Sequence, residues 1–316
     1  MSDGLSTFIK FSHLIGKRAD FVQGAGGNIS LKDDKGVMLI KASGSELNQI
    51  SKTTGIAYLA YKNYTDKLLE CNTEAEYNRL TESQTKKNYS QEKASMEVGF
   101  HAVLDKAVIH THNVYANIFL CSKKGTTLIK ESFPEASLIE YVTPGLDLSQ
   151  DVFLESKKSK DETKLFFLKN HGLIISTTSL EKAYKMHQKI TVFLQKELNS
   201  KEFPSIKVVE DGTEFVGKTV FLTELIQEYG LDKISTQFLF PDQAIYFLHH
   251  NIIFSRNERR YKTKKQALAS ENLLLAYYYI LNWIDKKNWE PCFLNSKQVA
   301  TIMNLTNEKF RQEKMR

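Results

Sequence analysis

Residues 107–112 read Ala-Val-Ile-His-Thr-His, an apolar run of the kind a buried strand requires, ending in two histidines two positions apart. Side chains alternate across a strand, so His110 and His112 leave on one face and Thr111 on the other, a spacing suited to chelating one metal ion. A second apolar run, 165–168, leads into Lys169, Asn170, His171 and Gly172 before the chain turns back through 173–176. Upstream, 95–104 reads as a short helix whose apolar stripe is Met96, Phe100 and Val103, leaving Glu97 and His101 together on an adjoining face. Three imidazoles at strand ends with a carboxylate nearby make a candidate catalytic metal site. Neutral ligands leave a metal its full charge to polarise substrate oxygens, and the carboxylate can move a proton. A hydrophobic neighbour such as Met96 or Phe100 would raise the Glu97 pKa towards a useful value. His101 reads either as the group that orients Glu97 or as a packed helix histidine.

These residues need a scaffold, and the apolar periodicity supplies one. Residues 5–18 have helical spacing at Phe8, Ile9, Leu14 and Ile15. Gly24, Gly26 and Gly27 follow, then Asn28 and Ser30, a loop that reads either as an ordinary turn or as exposed amides that hold a phosphate. A strand at 37–41 ends in Ala42, Ser43, Gly44 and Ser45. This segment is either a second set of ligand donors or a capping turn, with Ser45 the N-cap of a helix from near Glu46. A further strand is expected within 55–62, and polar, charged 73–93 reads as a long mobile connection that delivers Glu97. Helices at 114–121 and 180–198 flank a strand at 138–142, closed by Thr143, Pro144 and Gly145. Strands alternating with helices predict an α/β architecture with the site at strand ends.

A composition shift at 199–204 predicts two units, a catalytic 1–200 and a C-terminal extension, 201–316, packed on the core or in an oligomer. In the extension, 237–240 and 244–254 read as a strand pair joined by Pro241, Asp242 and Gln243, before a long helix from 266 to about 284. His249 and His250 are adjacent on that strand, face opposite ways and form no chelate. Tyr277, Tyr278, Tyr279 and Trp283 give the helix more apolar surface than one core-facing stripe requires. If its own core covers it, the tail is a structural brace; if a neighbouring subunit does, it joins the assembly and the active-site wall.

At 316 residues the chain can bury a large core without disulfides. Cys71, Cys121 and Cys292 are few, odd in number and far apart, which suits reduced thiols and offers no Cys-based zinc motif. The first ten residues lack the apolar core of a signal peptide, and no apolar run approaches the roughly 20 residues that cross a bilayer. A cytoplasmic protein without a membrane partner is expected. The net charge of +6 is modest because 37 acidic residues offset 43 basic ones. The densest basic run, from Arg256 through Arg259, Arg260, Lys262, Lys264 and Lys265, reads as a solvated loop before a helix, so no nucleic-acid partner is expected.

Taken in order, Gly27-Asn28-Ile29-Ser30, Ala42-Ser43-Gly44, Glu97, His110-Thr111-His112 and Asn170-His171-Gly172 resemble the class II aldolase and adducin family over about residues 8–195. The resemblance implies an α/β/α layered fold around a central sheet, with an α/β extension behind it. By it His110, His112 and His171 bind a divalent metal, usually zinc, with Mn²⁺, Co²⁺ or Fe²⁺ as alternatives, and Glu97 is the catalytic acid/base. Asn28, Ser30, Ser43, Gly44 and Ser95 match its substrate- or phosphate-binding loops. Met96 stands where fuculose-phosphate aldolase has a second serine, and Asn113 replaces a proline that often follows the histidine pair. The long tail, including Phe240-Pro241-Asp242-Gln243 and Glu308-Lys309-Phe310-Arg311, is more similar to the rhamnulose-phosphate aldolase-related group. The implied function is an aldehyde-lyase cleaving or forming a carbon–carbon bond in a ketose or ketose phosphate through a metal-stabilised enediolate. Sugar-phosphate epimerases and decarboxylases are the alternatives on this scaffold, and an adducin-head-like interaction module is the alternative of another class. A homo-oligomer, typically a tetramer, is also implied.

Overall fold

A computed structural model describes residues 2–249, 253–255 and 258–305. Seven strands form one sheet in the order β3-β2-β1-β4-β7-β6-β5: β1 (Asn28–Lys32), β2 (Val37–Lys41), β3 (Ile56–Ala60), β4 (Ala107–Thr111), β5 (Ser137–Ile139), β6 (Lys164–Leu168) and β7 (Gly172–Thr177). Every neighbouring pair is antiparallel except β5 and β6. The register places Asn28 opposite His110, and His110 opposite Ile174, so the two central strands carry their polar ends to one edge.

Alternation divides the sheet into two apolar faces. Ile29, Ala107, Ile109, Phe167, Leu173 and Ile175 join a core with the helices Ser2–Gly16, Val114–Leu120, Leu180–Leu198 and Lys264–Lys286. Val108, Phe166, Leu168 and Ile174 face the other way, against Phe100 of the helix Val98–Val103 and Leu148 and Val152 of Leu146–Ser156. Helices therefore cover both sides, and the expected α/β/α layering is the observed architecture.

The stretch expected to be a mobile connection is largely helix, Glu74–Gln84. Its start is a capping box: Thr73 accepts from the Glu76 amide while the Glu76 carboxylate accepts from the Thr73 amide. Tyr77 and Leu80, one turn apart, give this polar helix its buried side. Ser45 caps nothing, and the short 3₁₀ turn Leu47–Gln49 begins after Glu46.

The extension carries a second, antiparallel sheet in the order β10-β11-β9-β8, from β8 (Val208–Asp211), β9 (Glu214–Gly217), β10 (Ile253–Ser255) and β11 (Glu258–Tyr261). The expected strand pair at 237–254 is a correction. Pro241–His249 is a helix, with Pro241 at its first position, where a missing amide costs nothing, and Asp242 in its first turn. The basic run is solvated only in part: Lys262, Lys264 and Lys265 are exposed, but Arg259 is buried against Glu271, and Arg260 pairs with Asp211, Glu214 and Glu258. His250, Arg256 and the motif at 308–311 lie outside the described residues.

The chain's own residues cover the aromatic helix. Tyr277 and Tyr278 are fully buried and donate to the carbonyls of Lys233 and Gly230, while Tyr279 packs edge-on against Tyr115 of the core. Among the described residues no helix is long and apolar enough to cross a membrane.

Candidate metal centre

The β4 strand brings His110 and His112 out on one face as alternation requires, their ring centroids 5.0 Å apart. Thr111 turns to the opposite layer and approaches His187 Nδ1 at 3.4 Å. His171 arrives from the turn joining β6 and β7, 4.9 Å from the His110 ring and 5.1 Å from that of His112. Asn170 makes that turn by adopting a left-handed conformation, φ 54°. Its side-chain amide donates to the carbonyls of Leu239 and Cys292, fastening the turn to the extension.

Glu97 precedes the helix Val98–Val103 and enters the same space. Tyr77, from the helix Glu74–Gln84, donates to the Met96 carbonyl and accepts from the Gly99 amide, clamping the turn on either side of Glu97. Ser95 Oγ accepts from the Glu97 amide. One carboxylate oxygen, Oε2, accepts from Asn28 Nδ2 at 2.5 Å, while Oε1 lies 3.2 Å from His171 Nε2 and 3.5 Å from His110 Nε2. Burial pushes this carboxyl up, yet the positive charge that His110, His171 and His112 carry when protonated outweighs it, so the net shift is downward. That corrects the expectation of a raised pKa. The His110 ring is driven to its neutral form by burial, as a metal ligand needs.

One donor atom from each of the three histidines lies within 4.8 Å of the others. The Nε2 atoms of His110 and His112 and Oε1 of Glu97 are buried without a hydrogen-bond partner, which few buried polar groups tolerate. His110 Nδ1 lies 3.1 Å from the Leu173 carbonyl. With the ring proton there, the Nε2 lone pair faces the centre. The donor set therefore fits a divalent ion, with three imidazole nitrogens on one side and a cleft on the other.

That cleft is lined by Ala25, Gly26, Gly27, Asn28, Lys41, Ser43, Gly44, Ser95, Met96, Glu97, His112, Pro144, His171, Pro241 and Asp242. The expected loop residues Asn28, Ser43, Gly44 and Ser95 are thus brought together. Their convergence follows from the Ser43 amide bonding the Lys93 carbonyl, which ties the end of β2 to the segment before Glu97. Ser30 does not reach the cleft; it is fully buried, 2.8 Å from His101 Nδ1. His101 therefore packs against β1, and burial lowers its pKa to about 3.

Two residues escaped the sequence reading. Lys41 lies buried at the cleft and donates to the carbonyls of Ala25 and Ser45, joining the glycine loop to the serine loop. Its position at the end of a strand leading into Ser43-Gly44 was the available signal. Asp242, from the extension, brings Oδ2 to 3.0 Å from His112 Nδ1. Its signal was Pro241-Asp242 as a helix start.

A search of curated proteins gave no match. Among solved structures, the N-terminal class II aldolase domain of a conserved protein from Thermoplasma acidophilum is similar at 23% identity and a TM-score of 0.54, covering 61% of this chain and 93% of that one. A sugar-phosphate aldolase from Thermotoga maritima is 15% identical with a TM-score of 0.47, over 65% of this chain and 98% of that one. An L-fuculose 1-phosphate aldolase is 18% identical with a TM-score of 0.46, over 67% and 92%. The family model described as the class II aldolase and adducin N-terminal domain matches residues 7–195, the span that holds the whole seven-stranded sheet and all three histidines, and the chain belongs to that family.

Proposed function

We propose that the chain is a metal-dependent aldehyde-lyase that cleaves or forms a carbon–carbon bond in a ketose or ketose phosphate. The observation that carries this reading is the convergence of the Glu97 carboxylate and three imidazoles, with Glu97 Oε1 and the Nε2 atoms of His110 and His112 left without hydrogen-bond partners. His110, His112 and His171 would hold the ion, with zinc the expected species. Bound there, a divalent ion would supply Lewis-acid polarisation of adjacent carbonyl and hydroxyl oxygens.

The chain's own residues do the rest. Asn28 fixes Oε2 of Glu97, so Oε1 is the oxygen that takes or returns the proton. Ser43, Gly44 and Ser95 present short donors along one wall of the cleft, and Lys41 adds a positive charge between the two loops. This wall suits the anionic end of a phosphorylated sugar. Ser30 is buried behind the cleft against His101 and is given no contact with substrate. The unit 1–200 carries this chemistry and 201–316 braces it; by family resemblance the working form is a cytoplasmic homo-oligomer, a tetramer, which light scattering at micromolar concentration would test.

The deciding experiment is metal analysis of the purified protein followed by a panel of ketoses and ketose phosphates, assayed for aldehyde release. One ion per chain and cleavage of a ketose phosphate are expected. Bound metal with epimerised or decarboxylated product and no cleavage would replace the lyase reading with its neighbours on this scaffold. Neither metal nor turnover would leave an adducin-like binding module.

A further inference from the structure

We propose that Asp242, carried by the C-terminal extension, is a positioning residue for the metal centre: it holds the His112 ring with Nδ1–H towards its own carboxylate and Nε2 towards the ion. This rests on the metal-site reading above. Asp242 Oδ2 and His112 Nδ1 meet at 3.0 Å, both nearly inaccessible to solvent, an ion-pair distance without the alignment of a formed hydrogen bond. A buried carboxylate there gives the ring proton one place to go, which fixes the tautomer and raises the basicity of the opposite nitrogen. His110 obtains the same result differently, from the Leu173 carbonyl of the neighbouring strand. At His112 the main chain supplies no equivalent, because β4 ends at Thr111.

Two features hold Asp242 in place. Gln243, the next residue, accepts from the Leu239 amide and donates to the carbonyls of Ile234 and Gln237, so the start of the helix Pro241–His249 is locked to the loop before it. On the other side stands Gly26. A Cβ there would fall 2.7 Å from Asp242 Oδ2 and 2.8 Å from His112 Nδ1, wedged between them. Any larger residue at position 26 would push the pair apart.

The test is titration of the metal-free full-length protein with Zn²⁺ alone, in wild type, Asp242→Ala, Asp242→Asn and Gly26→Ala, with ring ¹⁵N spectra of His112 recorded before zinc is added. Asp242→Ala should weaken zinc binding by about 10- to 100-fold and abolish the single Nδ1–H tautomer of His112. Asp242→Asn retains an acceptor and should restore most of the affinity, while Gly26→Ala should reproduce the loss with Asp242 still present. If Asp242→Ala fails to fold, the Gly26→Ala and Asp242→Asn results decide. Wild-type binding that is matched within twofold by Asp242→Ala or by Gly26→Ala, or an unchanged His112 tautomer, would overturn the role of Asp242 and leave the metal site standing. A wild type that binds no zinc would overturn both.

Discussion

The two sheets bury charge in opposite ways. Under the extension's sheet, Glu271 accepts from Arg259 Nε at 2.5 Å and Nη2 at 3.0 Å, from Tyr261 at 2.7 Å and from Thr219 at 3.3 Å, so both of its oxygens are satisfied. At the edge of the seven-stranded sheet, Glu97 has one oxygen bonded to Asn28 and the other facing two imidazole nitrogens without a hydrogen bond. Both carboxylates are buried and both lie among cationic or potentially cationic groups. A saturated pair is a structural device, whereas an unsaturated cluster opening on a cleft is poised to receive something else.

Breaking each cluster should therefore give different losses. The largest effect is expected from Glu97→Gln, which keeps size and polarity but cannot exchange a proton: turnover should fall by about 10² to 10⁴ while bound metal remains. Steady-state kinetics with metal analysis checks this, and near-normal turnover would remove Glu97 from the chemistry. Next is Arg259→Met, which strands Glu271 and should cost about 3–5 kcal/mol of unfolding free energy in denaturant titrations. Replacing Glu271 with Leu in the same chain should recover most of that loss. A double variant no better than the single one would show that the pair is more than a satisfied buried bridge.

An effect of similar size concerns acid. Burial holds His101 and His187 neutral, lowering their pKa values to about 3 and about 4, against about 6.5 for an unfolded chain. Between those limits the unfolded state binds more protons. These histidines therefore cost nothing above about pH 6.5 and lower stability as pH falls towards 4, by up to about 1.4 kcal/mol per pH unit for each. Denaturation of the metal-free protein at pH 7 and pH 5 measures the slope, and stability that rises on acidification would contradict it. The smallest effect is expected where the regions touch. Asn170→Gly keeps the left-handed turn but removes two hydrogen bonds to the extension, for a loss of about 1–2 kcal/mol, readable by thermal denaturation.

Much of the core was legible because its signals are local. The alternation in Ala107–Thr111 fixed the shared face of His110 and His112, and the periodicity of Leu180–Leu198 matched its helix end to end. What escaped is nonlocal, or rests on capping chemistry rather than apolar pattern. The helix Glu74–Gln84 was hidden by its polarity, although Thr73 and Glu76 mark its start. Residues 244–249 look like a strand by composition, and only Pro241-Asp242 at their head gives the helix away. Ser30 shares the alternation of Asn28, yet the His101 ring covers it, and sequence spacing does not report what lies above a strand. Asp242 comes from a helix of the extension, far along the chain from the histidines, so no motif around them could announce it.

The most direct measurement is anomalous diffraction at the zinc edge from crystals of the full-length protein loaded with Zn²⁺. One strong site per chain is expected, about 2.0–2.1 Å from the Nε2 atoms of His110, His112 and His171, with an open coordination position towards the cleft. A zinc site elsewhere, or any one of the three rings turned away into the core with metal bound, would contradict the metal centre on which the proposed chemistry depends.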